Sequence, residues 1–190
     1  MRKALDTLYL ASGVLAALFL VAIALVVLAQ VVANIISKLS QWITGEALGL
    51  LVPSYADFTG WFLAASSFLA LAYTLRAGGH IRVELLIQGA RPAVRKVIEL
   101  WCCALGLVAS AYFAWWAASL TLESWQFGDV SFGMVPMPLW IPQSGMTLGL
   151  IVLTISFADE VVRILTGRMP SFDQAEADLA DSFNETPADR

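Results

Sequence analysis

Few side chains in this sequence are of a type that could carry chemistry, and they lie near the ends of apolar segments. The single histidine, His80, follows Gly78 and Gly79 in a connection, and one histidine excludes internal bis-histidine haem ligation. The glycine pair does not indicate a nucleotide site, because neither phosphate-binding glycine pattern is present. We therefore expect His80 to order a turn rather than to act in catalysis or metal binding.

Cysteines and carboxylates give no redox centre and no proton path. Cys102 and Cys103 are adjacent in an apolar run, a spacing that fits neither the C-x-x-C redox motif nor paired zinc ligands. Asp57, Glu99 and Asp159 each lie near the end of an apolar segment. Membrane enzymes and ion-coupled carriers normally keep ionisable groups at depth, at a cost of about 2.5–3.5 kcal/mol each. The sequence therefore predicts no catalytic residue, no metal site and no cofactor, so the chain is not expected to be an enzyme.

The segments that position these residues are long and apolar. Hydrophobic residues make up 59% of the 190 residues and charged residues 14%, against about half and about a quarter in a soluble domain. Apolar runs of more than about 18 residues predict membrane-spanning helices. We predict an all-α integral membrane protein with four transmembrane helices, which cover about residues 8–36, 55–75, 98–122 and 140–165.

Two shorter segments have the pattern of amphipathic helices that lie on the membrane surface. Apolar and polar residues alternate at helical spacing in residues 39–51 and again in residues 81–90. Pro92, just after the second segment, suits the first position of the third helix. We expect one membrane domain over residues 1–167, followed by an acidic and mostly disordered tail over residues 168–190.

The distribution of lysine and arginine predicts the orientation of the chain. Of the 11 cations, only Lys38 falls on the side away from the termini. Under the positive-inside rule, both termini and the central connection lie in the cytoplasm. Four cations of that connection are candidates for contact with anionic lipid headgroups, at about 1 kcal/mol each, although a cluster that only sets topology explains them equally well. These are Arg82, Arg91, Arg95 and Lys96.

Small residues recur four positions apart in three of the predicted spans. Such pairs let two helices approach closely, either within the chain or with a partner. The pairs are Gly145 with Gly149, Gly106 with Ser110, and Gly13 with Ala17.

The order of several features resembles a known family. An acidic residue opens the second span, a glycine-histidine motif follows that span, and prolines and a tryptophan introduce the fourth. The residues are Asp57; Gly79, His80, Ile81, Val83 and Glu84; and Pro138, Trp140, Pro142 and Gly145. Over roughly residues 5–165 the chain resembles the small membrane subunit of tripartite ATP-independent periplasmic (TRAP) transporters, the DctQ-like family. Asp57 stands where that family usually has glutamate, and residues 39–53 are longer than is usual for it.

The resemblance implies a three-part importer in a bacterial inner membrane. A periplasmic DctP-like protein would capture an organic acid anion, a large DctM-like membrane subunit would move it with sodium, and this chain would brace the large subunit. Membrane lipids are further expected partners, and nucleic acid is not, because the sequence has no basic stripe. The motif residues, together with Gly149, become candidates for structural or subunit-interface roles.

Two other functional classes stay open on the residues alone. A membrane-anchor subunit of a redox complex would have to take its cofactor ligands from a partner. A small self-contained exporter would need a buried carboxylate within a span, and no span of this sequence contains one at its centre.

Overall fold

The computed structural model describes residues 2–46, 48–77 and 92–167, and the regular structure in these ranges is helical. The helices are α1 (Arg2–Thr44), α2 (Tyr55–Arg76), α3 (Pro92–Phe127) and α4 (Trp140–Leu165). Within these ranges strand pairing is limited to one isolated bridge, between Val130 and Pro138. The segments Ala4–Thr44, Tyr55–Arg76 and Val94–Phe127 are long and apolar enough to cross a membrane. The prediction of an all-α membrane protein is confirmed, and the fourth span stays a prediction.

Backbone signals in the sequence set the helix ends. Gly45, Gly128 and Gly167 follow α1, α3 and α4 at φ values of +78°, +68° and +70°. Glycine adopts this left-handed conformation without the steric cost that a Cβ imposes. Pro92 opens α3, where its missing N–H would have had no helical partner.

The structure corrects the surface helix predicted for residues 39–51. α1 continues to Thr44 as one helix of 43 residues, and residues 48–52 are not helical. The predicted span ends at residue 36, shortly before Lys38, but a charged residue ends only an apolar run. Because no glycine or proline occurs before Gly45 in this part of α1, the backbone has no reason to break there.

The helices contact one another in the order α1, α2, α4, α3, so they form an open row rather than a closed bundle. The two central helices run parallel: Ala65 and Phe68 of α2 face Gly145 and Gly149 of α4 in the same order. α1 and α3 run the opposite way. We call the end of the row where α1 and α3 begin the near end, and the other the far end.

Small residues make up much of the surface buried between the helices, and most large apolar residues of α1 and α3 are exposed. The buried set includes Ala16, Ala65, Ala72, Ala114 and Ala117. Leucine, valine and tryptophan side chains are exposed along α1 and α3. An apolar surface of this extent indicates lipid or protein surroundings rather than water.

Candidate subunit interface and the polar sites at the helix ends

The central contact of the row, between α2 and α4, depends on two glycines. A Cβ added at Gly149 would lie 2.5 Å from the backbone carbonyl carbon of Phe68. A Cβ added at Gly145 would lie 2.9 Å from the Cβ of Ala65. Real Cβ atoms do not approach this closely, so both positions need glycine. The predicted G-x-x-x-G pair therefore packs within the chain.

The contact between α1 and α2 contains one close approach at a glycine and two serine hydrogen bonds, one donated from each helix. Ser12 Oγ donates to the carbonyl of Leu69 at 3.0 Å, and Ser66 Oγ donates to the carbonyl of Ala16 at 3.0 Å. Both serines are buried. Gly13, the residue after Ser12, lies against the ring of Tyr73, one turn beyond Leu69 on α2. Such hydrogen bonds hold membrane helices together where the hydrophobic effect between helices is absent.

The contact between α3 and α4 repeats this chemistry. Gly106 lies against the Phe157 ring, and a Cβ there would come within 2.6 Å of it. Nearer the far end, the hydroxyls of Thr121 and Thr147 are hydrogen-bonded at 2.9 Å. Glycines from all three predicted small-residue pairs thus lie at contacts inside the chain. A contact with another subunit has to use other surfaces.

At the far end, Asp57 and Ser54 lie against the connection between α3 and α4. Asp57 is in the first turn of α2 and is half-buried. A Cβ added at Gly133 would overlap its carboxylate, so the backbone of the connection passes directly over it. Ser54, which precedes α2, accepts a hydrogen bond from the Val135 amide at 3.0 Å through its Oγ. Asp57 therefore lies against the backbone of this connection, and Ser54 is hydrogen-bonded to it.

The connection itself is a compact hairpin over residues 128–139, which we call the far-end hairpin. The Leu139 amide donates to the Asp129 carbonyl, and the Ser131 amide donates to the Met137 carbonyl, both at 2.9 Å. Pro138 takes part in the bridge with Val130, immediately before α4 begins.

The start of α4 follows directly from this hairpin. Trp140 is the first residue of α4, and Pro142 sits in its first turn. A proline is tolerated there, because the first amides of a helix have no helical partner. The predicted residues Pro138, Trp140 and Pro142 thus lie together where the hairpin joins α4.

At the near end, an ion pair and an aromatic ring join α1 to α2. Arg76, the last residue of α2, pairs with Asp6 of α1. The Arg76 guanidinium also lies 5.1 Å from the centre of the Tyr9 ring, a cation–π distance. Tyr9 is buried and packs against Ala72 and Val152, so it also reaches α4.

Asp6, Tyr9 and Arg76 form what we call the near-end group, and the end of α4 places further charged side chains at the same end of the row. Arg163 pairs with Asp159 at 3.1 Å, one turn apart, and Glu160 and Arg163 are both buried. Sequence reasoning placed Asp159 near the membrane surface but missed the burial of its neighbours. The only available signal was the four-residue spacing of Asp159 and Arg163, which equally suits an exposed helix.

Several predicted residues lie outside the described residues. These are Gly79, His80, Ile81, Arg82, Val83, Glu84 and Arg91, with the predicted surface helix at residues 81–90 and the tail at residues 168–190. Arg95 and Lys96 are described and exposed in the first turns of α3, where Arg95 pairs with Glu99 at 2.8 Å. In the described ranges, no group of three His, Cys, Asp or Glu side chains is placed to hold a metal ion.

A family model matches the chain over residues 50–167, which contain α2, α3, α4 and the far-end hairpin. The model is that of the DctQ component of tripartite ATP-independent periplasmic transporters. The chain belongs to this family. Among curated proteins and solved structures, no match was found.

Membership of the DctQ family makes the chain a component of a TRAP transporter, and so a transport protein with partner components. It confirms the resemblance that the sequence motifs indicated. The family match begins at residue 50, so the whole of α1 lies outside it, including the Ser12 and Gly13 side of its contact with α2.

Proposed function

We propose that this DctQ-family chain is the small scaffold subunit of a TRAP importer that takes up an organic acid anion with sodium. It braces a large DctM-like membrane subunit, and a periplasmic DctP-like protein delivers the anion. The chain sits in a bacterial inner membrane with four spans and both termini in the cytoplasm.

The observation that carries the bracing role is the absence of charge along the helices. No Asp, Glu, Lys or Arg occurs in residues 7–37, 58–75, 100–122 or 140–158, which make up most of the described helices. A carrier for an anion and sodium needs polar groups at depth to replace hydration. These stretches of helix have no charged side chain, and the buried hydroxyls of Ser12 and Ser66 are hydrogen-bonded within the chain, so we place the translocation path in another subunit.

The open row supports the same role. α1 and α3 each have a helix neighbour on one side, and their outer faces expose large apolar side chains such as Leu18, Leu25, Trp101 and Trp116. The glycine contacts are already used between the chain's own helices. A large subunit is therefore expected to pack against an outer face of α1 or α3, and lipid to cover the rest.

Copurification and transport test this proposal together. The chain is expressed with the large subunit and purified in mild detergent, and we expect the two to elute as one complex. In liposomes, we expect anion uptake driven by a sodium gradient only when both membrane subunits and the binding protein are present. Uptake by this chain alone, or a chain that elutes as a monomer without the large subunit, contradicts the proposal. A bound pigment would instead favour a redox anchor.

A further inference from the structure

α1 is much longer than the helix beside it. α1 has 43 residues and α2 has 22. The two helices are antiparallel and stay in contact from the ion pair of Arg76 with Asp6 to Gln30, whose side chain accepts a hydrogen bond from the Val52 amide. Val52 lies just before α2 begins. Residues 31–44, which we call the α1 overhang, therefore extend roughly 20 Å past the start of α2.

The overhang has one apolar face and one polar face. At about 100° per residue, its large apolar side chains all fall within an arc of about 140°, which we call the apolar arc. They are Val31, Val32, Ile35, Ile36, Leu39, Trp42 and Ile43, and all are exposed. Asn34, Lys38 and Gln41 are exposed on the remaining side. A helix surrounded by lipid is apolar on all sides, whereas a single apolar stripe is typical of a helix that packs against protein.

A non-helical segment returns from the tip of the overhang to α2 along the polar side. The Leu50 amide donates to Ser37 Oγ at 2.9 Å, and the Val52 amide donates to Gln30 Oε1 at 2.8 Å. Residues 48–51 of this return segment are exposed. Exposed irregular backbone does not occur in the hydrocarbon of a bilayer, because nothing there can pair with its polar groups. The return segment therefore keeps the overhang beside it out of the hydrocarbon.

The length of α2 leads to the same placement. Its 22 residues reach about 33 Å and the hydrocarbon is about 30 Å thick, so α2 crosses it only with a lean of less than roughly 25°. α1 lies beside α2 and has no glycine or proline between Gly13 and Gly45 at which to bend, so it leans by a similar amount. The interfacial layer adds roughly 5–8 Å on each side. Trp42 follows Gln30 by about 18 Å of helix and so lies beyond that layer.

We propose that the apolar arc of the α1 overhang is a docking surface for the large membrane subunit, just outside the bilayer. An apolar surface in that position faces water unless protein covers it, and such surfaces mark protein contacts. The arc also continues the exposed side of α1 within the membrane, where Leu18, Val21, Leu25 and Leu28 point the same way. A partner that follows this side of α1 from the bilayer outward is itself a membrane protein.

The composition of the arc favours a permanent partner over one that comes and goes. Permanent interfaces are more apolar than those of proteins that bind and leave. The arc contains no charged residue, and Lys38 lies at its edge. It therefore fits the large subunit better than a soluble binding protein. The inference rests on the proposed function for the identity of the partner, and α1 lies outside the family match, so the contact is assigned to this chain and not to the whole family.

Photo-crosslinking in membrane vesicles tests which molecule covers the arc. A photoreactive benzophenone amino acid replaces Leu39, Trp42 or Ile43 in the full chain, which is expressed with its large subunit and its binding protein. The same amino acid at Gln41, on the polar side of the overhang, is the matched control. After irradiation, the adducts are separated by size and identified by mass spectrometry.

We expect each of the three arc positions to form an adduct with the large subunit, at a yield several-fold higher than Gln41 gives. Adducts mainly with a second copy of this chain or with the binding protein overturn the proposal, and so does the absence of any protein adduct. The unsubstituted chain is purified from the same vesicles. If it brings the large subunit with it while no arc adduct forms, only this inference fails; if it does not, the proposed function fails as well.

Two carboxylate substitutions measure what the arc contributes to assembly. Leu39→Glu puts a charge within the arc and should lower the amount of large subunit recovered with the chain several-fold. Gln41→Glu adds the same charge on the polar side and should leave recovery unchanged. Both side chains are exposed, so neither change should move the midpoint of unfolding of the chain in detergent. Equal recovery of the large subunit with both variants would overturn the proposal.

Discussion

The centre of the helix row and its two flanks differ in the size of the residues they present. Where α2 meets α4, the contact is built from Ala65, Gly145 and Gly149, which allow the backbones to touch. On the flanks, α1 and α3 present leucine, valine and tryptophan to the outside. Small residues thus allow the closest contact at the centre, and most of the large side chains on the flanks are exposed to the surroundings.

This difference follows from the solvent. In lipid, burying a leucine against another helix gains little, because acyl chains are equally apolar. Close packing and hydrogen bonds then decide which faces pair, and both need small residues. The comparison makes a graded set of predictions, in which substitutions at the centre matter more than substitutions on the flanks.

The largest effect is expected at Gly149. Gly149→Leu puts a side chain where the backbone of Phe68 lies, so α2 and α4 have to separate. Overpacking of this kind costs about 1–3 kcal/mol or more. We expect a clearly lowered midpoint of unfolding in detergent, and poor recovery of the folded chain.

Gly60→Leu is the matched control for that substitution. Gly60 lies in α2, and a Cβ there has no neighbour within 4 Å. We expect the control to unfold at nearly the same midpoint as the unsubstituted chain. Equal losses from both substitutions would mean that close α2–α4 contact is not what stabilises the centre.

Truncation of two leucines on α4, one buried and one exposed, tests the same difference between inner and outer faces and should have a smaller effect on stability. Leu153 is buried and Leu148 is 54% exposed. Leu153→Ala leaves a cavity and should lower the free energy of unfolding by about 1–3 kcal/mol, at or below the range for soluble cores, because lipid already solvates leucine. Leu148→Ala should change it by a few tenths of a kcal/mol. Equilibrium unfolding in mixed detergent micelles measures both, and a larger loss at Leu148 would reverse the assigned inner and outer faces.

Several helix ends could be predicted because single residues determine them. Pro92 opens α3 as predicted, α2 begins at Tyr55, the predicted start of the second span, and α4 occupies Trp140–Leu165, the range in which a span was predicted. The end of α1 was predicted too early, because Lys38 ends the apolar run without interrupting the helical backbone, which continues to Thr44. The extent of an apolar run can be read directly from the sequence, but the extent of the helix that contains it cannot.

The pairing of the helices could not be predicted, because it depends on the fit between faces far apart in sequence. The spacing of Gly145 and Gly149 indicates that α4 has a close neighbour but does not identify α2. The near-end group was missed for the same reason, since Asp6, Tyr9 and Arg76 come from two helices. The closeness of Asp57 to the far-end hairpin likewise depends on the backbone path at Gly133, which no local pattern reveals.

The serine hydrogen bonds of the flanking contact should have a modest effect. Ser66→Ala removes the donor to the Ala16 carbonyl and should cost about 0.6 kcal/mol, the average for hydrogen bonds between membrane helices. Ser12→Ala should cost a similar amount. Ser119→Ala is the control, because the hydrogen bond that this partly exposed serine donates lies within its own helix, to the Trp115 carbonyl. Unfolding that is unchanged for Ser66→Ala would mean that packing alone joins α1 to α2.

The smallest effect is expected at the near-end ion pair. Asp6 is half-exposed and Arg76 is partly exposed, so water and salt screen their attraction. Asp6→Asn should therefore cost at most about 1 kcal/mol, and the loss should shrink as salt is raised. Glu123→Gln, at an exposed position of α3, controls for the change in net charge. A large, salt-independent loss for Asp6→Asn would show that charge at the near end stabilises the row as strongly as the glycine contacts at its centre.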